Sequence, residues 1–148
     1  GVMLVSFRPF EVGDLIEGAG VAGFVDNIGI FSTTIITPDH IKIVVPNNNL
    51  FTGTLKNMTA LGTRRVDLEI NIGERAIEPT ITHLLSLVQP HPLVLGDPKP
   101  SCNVASISPE ATMLYLRAWC AAEAYEQVRA EIQQIVKEFL QEAPGRTE

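Results

Sequence analysis

The stretch NIGIFSTTIITPDHIKIVVPNNNL, residues 27–50, determines the fold of the first half of this 148-residue chain. Two runs rich in β-branched residues, 30–37 and 41–45, flank the tripeptide Pro-Asp-His at 38–40. Proline fixes its φ at about −65° and an aspartate can bond the backbone beyond it, so the pattern predicts two strands joined by a tight turn. Pro46 should end the second strand because it has no N–H to donate. The three asparagines that follow predict a further turn.

Short strands are predicted on both sides of this hairpin. The residues before it indicate strands at 14–17 and 21–28, with Gly23 at a bulge or at a close approach of two backbones. The residues after it indicate a short fifth strand at 52–57. Five short strands separated by glycine turns predict a small, strongly bent, Sm-like β barrel.

The pattern changes after a linker at 60–64. Alternating apolar and polar residues predict a half-buried strand at 65–72. The β-α-β-β-α order of the remaining segments predicts a ferredoxin-like open-faced sandwich, so the fold class is mainly β plus α+β. The later segments are a helix beginning at Pro79, an irregular stretch at 89–101, strands at 102–108 and 111–120, and a helix at 122–143.

Composition and charge restrict the classes of function. Hydrophobic residues make up 45% of the chain and charged residues 19%, which is typical of a folded protein. The formal net charge of −6 argues against a nucleic-acid-binding protein, whose affinity depends on Lys and Arg neutralising phosphates. No apolar run reaches the roughly 18 residues that indicate a membrane helix. Cys102 and Cys120 lack metal-ligand spacing, which indicates buried, reduced thiols.

No catalytic motif is recognisable in the sequence. There is no glycine-rich phosphate loop, no HExxH and no nucleophile elbow. His40, His83 and His91 come from different elements and have no recognisable carboxylate or cysteine partner, so they are interpreted as structural histidines. Asp67 and Glu69 share one strand face, where a solvated edge explains them better than acid–base chemistry. We therefore expect no enzyme activity, no metal and no cofactor.

A series of short motifs runs through the chain in a fixed order. Together they resemble the cytoplasmic region of the small-conductance mechanosensitive channel (MscS) family, and the resemblance covers residues 1 to about 143. The motifs are Phe7-Arg8-Pro9-Phe10, Gly13-Asp14, Gly20-Val21-Ala22-Gly23, Ile30-Phe31-Ser32-Thr33-Thr34, Val45-Pro46-Asn47, Asn57, Arg64-Arg65 and Arg117-Ala118-Trp119.

This resemblance implies a division into three parts. Residues 1–8 resemble the end of the family's pore-lining helix, residues 9–60 its Sm-like β domain, and residues 61–148 its α/β domain. The chain is expected to be a fragment, because it begins with an apolar segment and lacks the strand that often follows the family's last helix.

The resemblance also implies a function for the whole protein. Seven copies are expected to form a cage on the cytoplasmic side of the cell (inner) membrane, below N-terminal membrane helices that are missing here. The channel is expected to open under membrane tension and to release ions and small osmolytes during hypo-osmotic shock.

Three sets of residues are expected to carry this function. Charged residues near the linker are expected to line side portals of the cage, and residues at the start of the chain to transmit movement from the pore helix. Residues around the central hairpin are expected to pack against neighbouring subunits, because open sheet edges favour pairing. The portal candidates are Asp67, Arg65 and Lys56; the junction candidates are Phe7, Arg8, Pro9 and Phe10; the packing candidates are Ile30, Phe31, Val45, Pro46 and Asn47.

Other classes of protein use similar modules. A nucleic-acid-binding protein could use an Sm-like barrel, although the acidic balance opposes it. A regulatory small-ligand-binding module of a membrane protein could use the second half, with 89–101 as its site; a thermal-shift screen with small metabolites would distinguish it. An enzyme is the third alternative, and no candidate residues support it.

Overall fold

The computed structural model describes residues 9–142. The chain divides into two compact units, Gly1–Gly62 and Thr63–Glu148, each with its own hydrophobic core. Two antiparallel sheets with few helices confirm the predicted fold class. The first unit contains β1 (Leu15–Gly18), β2 (Val21–Ile28), β3 (Ser32–Ile36), β4 (Lys42–Pro46), α1 (Asn47–Phe51) and β5 (Lys56–Asn57); the second contains β6 (Thr63–Gly73), α2 (Ile77–Val88), β7 (Ser101–Ile107), β8 (Thr112–Ala121), a 3-10 helix (Ala122–Ala124) and α3 (Tyr125–Leu140).

The first unit is built on one antiparallel sheet in the order β4-β3-β2-β1-β5. The predicted hairpin is confirmed: Ile35 pairs with Ile43, and His40 adopts a φ of 72° in the turn between them. Successive side chains of a strand point to opposite faces, so each of the four longer strands sends side chains to one core. The buried members of this core are Phe10, Ile16, Val25, Ile35, Val45 and Leu50.

Gly23 allows β2 to approach β3 closely. A Cβ atom at this position would lie 2.6 Å from the carbonyl oxygen of Ile36 and 2.7 Å from Cγ2 of Ile35. The close backbone approach predicted from the sequence is therefore confirmed. The bulge lies elsewhere on the same strand, where the β2–β3 register shifts between Val25 and Asn27.

The asparagine run forms a helix rather than the predicted turn. α1 follows Pro46 directly, and its Leu50 is buried in the core. Burial of a leucine outweighs the weak helix propensity of asparagine. The predicted fifth strand at 52–57 is also shorter than expected, because only Lys56 and Asn57 pair with β1.

Antiparallel pairing brings four parts of the chain to one end of this sheet. β1 and β3 begin at this end, and β2, β4 and β5 finish at it. We call it the proximal end; it carries residues 9–14, the loop 29–31, Asn47 at the start of α1, and residues 58–60. The incoming and outgoing chains of the first unit therefore lie at the same end.

The second unit is a three-stranded sheet in the order β6-β8-β7, and it confirms the predicted β-α-β-β-α order. α2 and α3 pack on one face, where Leu84 and Phe139 join residues of β6 and β8 such as Ile70 and Leu116. α2 begins two residues before the expected Pro79. A proline is tolerated in the first helical turn because those N–H groups have no helical partner.

The last α-helix also begins later than predicted. A 3-10 helix occupies Ala122–Ala124, and α3 itself begins at Tyr125 instead of the predicted 122. Among residues 9–142, no helix is long and apolar enough to cross a membrane.

Candidate functional site

The junction candidates Pro9 and Phe10 are fixed to the first unit. Phe10 is buried in the core, and its ring centre lies 6.0 Å from that of Phe51. The carbonyl oxygen of Pro9 accepts a hydrogen bond of 3.1 Å from Nδ2 of Asn57. The other two candidates, Phe7 and Arg8, and the predicted pore-helix segment at 1–8 lie outside the described residues.

Asn57 joins the incoming and outgoing chains at the proximal end. Its Nδ2 donates to Pro9 and also to Oδ2 of Asp14, at 3.0 Å. Its Oδ1 accepts the backbone N–H groups of Thr59 and Ala60, at 3.1 and 3.0 Å. Both ends of one side-chain amide are therefore used, one on each side of the junction.

Thr59 and Asp14 complete the connection. The Thr59 hydroxyl donates to Oδ1 of Asp14 at 2.8 Å and accepts the N–H of Leu15 at 3.1 Å. The N–H of Glu11 donates to Oδ2 of Asp14 at 2.8 Å. The sequence alone assigns no role to these polar residues. We call the set Pro9, Glu11, Asp14, Leu15, Asn57, Thr59 and Ala60 the Asp14 network.

This environment changes the acidity of Asp14. Burial opposes ionisation, but hydrogen bonds from Asn57, the Glu11 N–H and Thr59 together outweigh it and lower the pKa of the Asp14 carboxyl below 3.8. A carboxylate with a lowered folded-state pKa stabilises the fold above its unfolded pKa. That contribution is lost as the pH falls through the folded pKa.

We therefore expect acid to weaken the wild-type first unit more than an Asp14→Asn variant. At pH 7 the variant should lose about 1–2 kcal/mol of unfolding free energy, because a charged acceptor of three donors is gone. Urea unfolding at pH 7 and at pH 3, followed by the NMR signals of β2 and β3, would measure this for the first unit. Equal losses on acidification in the two proteins would contradict it.

The packing candidates Ile30 and Phe31 form an exposed apolar loop at the proximal end. The two residues are 88% and 84% exposed. Asn47 holds this loop, since its Nδ2 donates to the carbonyl oxygens of Gly29 and Ile30 at 2.9 and 3.2 Å. Its Oδ1 accepts from the Thr33 hydroxyl at 2.6 Å. The Asn47 side chain therefore bonds within its own chain.

Val45 does not fit the prediction that it packs against a neighbouring subunit. It is only 5% exposed, because the alternation of β4 turns it into the core. Pro46 is exposed on the same strand. β4 is an edge of the sheet, and two large apolar residues outside the packing set are exposed there: Val44 on the strand and Ile41 directly before it.

The portal candidates Arg65 and Asp67 form a surface ion pair. Arg65 Nε lies 2.7 Å from Asp67 Oδ1, and its Nη2 donates to Oδ2 at 2.9 Å. Both side chains are 41% exposed. The third candidate, Lys56, lies in the first unit, opposite Glu17 of β1.

Residues of β8 add to this pair on the face of the sheet away from the helices. Arg117 Nε lies 3.7 Å from Oδ2 of Asp67, so one carboxylate faces two arginines. The Arg117 guanidinium lies 4.8 Å from the ring centre of Tyr115, and that of Arg65 lies 5.9 Å from the ring centre of Trp119. Both cations lie within the roughly 6 Å at which the face of an aromatic ring attracts a cation. The charges of Arg65, Asp67 and Arg117 can attract or repel ions in the surrounding solution.

His91 has a carboxylate partner that no sequence pattern indicates. Its Nε2 lies 2.6 Å from Oε1 of Glu131 on α3, and its Nδ1 accepts the N–H of Leu93. Hydrogen bonds from Gln127 and then His91 lower the pKa of Glu131. The loop at 89–101 would be the binding site if the chain were a small-ligand-binding module. Its imidazole at His91 instead pairs with Glu131 of the same unit.

The remaining reactive side chains are isolated. Within residues 9–142, no group of three His, Cys, Asp or Glu residues could hold a metal ion. Cys102 and Cys120 are free and buried, and burial raises the pKa of Cys102 to about 11. A buried neutral thiol is a poor nucleophile.

Comparison with known proteins gives consistent matches. Residues 1–60 match a family model described as "Mechanosensitive ion channel, beta-domain". An uncharacterised MscS family protein of Synechocystis is 31% identical over 143 residues, which are 96% of this chain and 48% of that protein. A small-conductance mechanosensitive channel of Edwardsiella ictaluri is 31% identical over 120 residues, which are 80% of this chain and 42% of that protein.

The fold matches as well. A crystal structure of Helicobacter pylori MscS in a closed state superposes with a TM-score of 0.77, covering 93% of this chain and 55% of that one. Its 21% sequence identity makes this a likeness of fold. The chain spans about half the length of the curated relatives it matches. On its β-domain match, its relatives and its fold together, the chain belongs to the MscS family.

Proposed function

We propose that this chain is the cytoplasmic vestibule of a channel that opens under membrane tension and releases ions and small osmolytes during hypo-osmotic shock. The observation that carries the proposal is the match of 96% of the chain to an MscS family protein, together with a named mechanosensitive channel among the relatives. In this proposal residues 1–8 end a pore-lining helix, 9–60 form the β domain and 61–148 the α/β domain. The region lies on the cytoplasmic side of the inner membrane.

We also propose that the vestibule is a ring of seven copies. The edge strand β4 carries the exposed apolar Val44, exposed Ile41 lies directly before this strand, and the loop 29–31 carries Ile30 and Phe31. An unpaired edge favours pairing with another chain. A head-to-tail contact that closes on itself gives a cyclic oligomer.

Light scattering on the purified chain tests the assembly. A heptamer should have a mass of about 113 kDa, seven times the 16.1 kDa of one chain. Dilution should leave this mass unchanged if the ring is stable. A species of 16.1 kDa at every concentration would contradict self-assembly of this region.

We propose in addition that Asp67, with Arg65 and Lys56, lines side portals of this ring. Asp67→Lys in a full-length channel should raise the ratio of anion to cation permeability by about twofold. The reason is that the variant removes the only carboxylate in contact with Arg65 and Arg117 in the described part of the chain.

The reversal potential in a salt gradient measures this permeability ratio. The same charge reversal at Glu138, whose carboxylate bonds Gln134 on the exposed side of α3, is the control and should leave the potential unchanged. A reversal potential of Asp67→Lys equal to that of wild type would exclude Asp67 from the portals.

A further inference from the structure

We propose that the Asp14 network couples the chain entering the first unit at residues 9–10 to the chain leaving it at 59–60. A displacement of the incoming chain then reaches the outgoing chain through side-chain hydrogen bonds as well as through the short backbone pairing of β1 with β5. This inference rests on the proposed function, in which tension acts on the segment before residue 9. Asp14, Asn57 and Thr59 are positioning residues in it, since they are not assigned any contact with ions.

The backbone alone connects these two parts of the chain weakly. β5 pairs with β1 over only two residue pairs, Ile16 with Asn57 and Glu17 with Lys56. One further backbone bond, from the N–H of Met58 to the carbonyl of Leu15, extends this pairing at the proximal end. Any stronger connection between residues 9–14 and 57–60 must come from side chains.

Asn57 supplies such a connection through a single amide. Its Nδ2 is bonded to the incoming chain at Pro9 and Asp14, and its Oδ1 is bonded to the outgoing chain at Thr59 and Ala60. A rotation of this amide that breaks the bonds on one side also breaks those on the other. The two sides are therefore held or released together.

Asp14 makes the second connection. Its carboxylate accepts three donors, the N–H of Glu11 on the incoming side and the side chains of Asn57 and Thr59 on the outgoing side. The Thr59 hydroxyl also accepts a hydrogen bond from the N–H of Leu15 on the incoming chain. Charge-assisted bonds of this kind are about twice as strong as neutral ones. Residues separated by 43 to 48 positions are thus one hydrogen bond apart.

The opposite end of the sheet offers a matched control. In the β3–β4 turn, Thr37 donates to Oδ1 of Asp39 at 2.6 Å and accepts the N–H of Ile41 at 2.8 Å. Thr59 makes the same two kinds of bond, but with partners distant in sequence, and its hydroxyl also lies 3.3 Å from Oδ1 of Asn57. Thr59→Ala and Thr37→Ala therefore delete equivalent bonds, and only the first deletion affects the coupling.

Amide hydrogen exchange of the 148-residue chain, read by NMR, tests whether the network acts as a unit. In Thr59→Ala we expect exchange at Glu11 and Ala60 to become about tenfold faster, although neither amide is bonded to Thr59. Thr37→Ala should leave both rates within about twofold of wild type. Thr59→Ser keeps the hydroxyl and should restore the wild-type rates. An unchanged rate at Glu11 in Thr59→Ala would overturn the proposal.

Patch-clamp recording of a full-length channel containing this chain tests the consequence. At a fixed, sub-saturating tension, Thr59→Ala should change the open probability by about threefold, and Thr37→Ala and Thr59→Ser should not change it. An open probability equal to that of wild type in Thr59→Ala would overturn the coupling. Absence of tension-activated current in wild type would instead overturn the proposed function, and the exchange rates would still decide whether the network acts as a unit.

Discussion

Ile70→Ala should lower the unfolding free energy of the second unit by about 3 kcal/mol, within the roughly 2–5 kcal/mol typical of buried isoleucines. Ile70 is 3% exposed on β6 and belongs to the core beneath α2 and α3. The substitution removes three carbon atoms from a packed interior, and the cavity left behind adds to the lost hydrophobic burial.

Ile107→Ala is the matched control for this prediction. Ile107 lies on β7, the other outer strand of the same sheet, but it is 68% exposed, so the cost should stay within about 0.5 kcal/mol. Fluorescence of Trp119, the only tryptophan, reports urea unfolding of this unit. Equal destabilisation by the two substitutions would show that the core is assigned to the wrong face.

Gly23→Ala should destabilise the first unit by about 2 kcal/mol, in the range of roughly 1–3 kcal/mol that overpacking costs. The added Cβ would lie 2.6 Å from the carbonyl oxygen of Ile36 and 2.7 Å from the buried Ile35 side chain. The nearer of these atoms belongs to the backbone of a paired strand, so it cannot move without disturbing the β2–β3 hydrogen bonds.

Gly53→Ala makes the same chemical change where there is space. Apart from the neighbouring residues in the chain, no atom lies within 4 Å of the added Cβ, so the effect should stay within about 0.5 kcal/mol. The one tryptophan and both tyrosines lie in the second unit, so amide exchange of β2 and β3 measures this stability better than fluorescence. The interpretation of Gly23 is wrong if both variants lose the same stability.

The parts of the fold that were predictable from the sequence depend on local chemistry. The hairpin turn at 38–40, the strand Val21–Ile28 and the close approach at Gly23 each follow from a few neighbouring residues. The helix α1 was not predictable in this way. Its formation depends on the burial of Leu50 in a core assembled from distant strands, which local propensity does not contain.

In the candidate sites, too, the local contacts were predictable from the sequence and the long-range contacts were not. Arg65 and Asp67 are two residues apart on one strand face, so their proximity follows from alternation. The contribution of Arg117 requires the pairing of β6 with β8, in which it lies opposite Asp67. The pair of His91 and Glu131 joins residues 40 positions apart, and no local pattern identifies it.

The Asp14 network shows the same limit most clearly. Its members are ordinary turn and strand-end residues, and the bonds between them span up to 48 positions. Val45 was selected for packing against a neighbouring subunit because its motif lies on an edge strand. The alternation of side chains along β4 instead turns Val45 into the core.

Patch-clamp recording of a full-length protein that contains this chain would show whether the proposed vestibule belongs to a tension-gated channel. The protein would be reconstituted in liposomes without any other channel, and suction would be raised in steps. We expect stepwise currents above a tension threshold. A protein that is present in the bilayer and passes no current up to the tension at which the patch ruptures would contradict it.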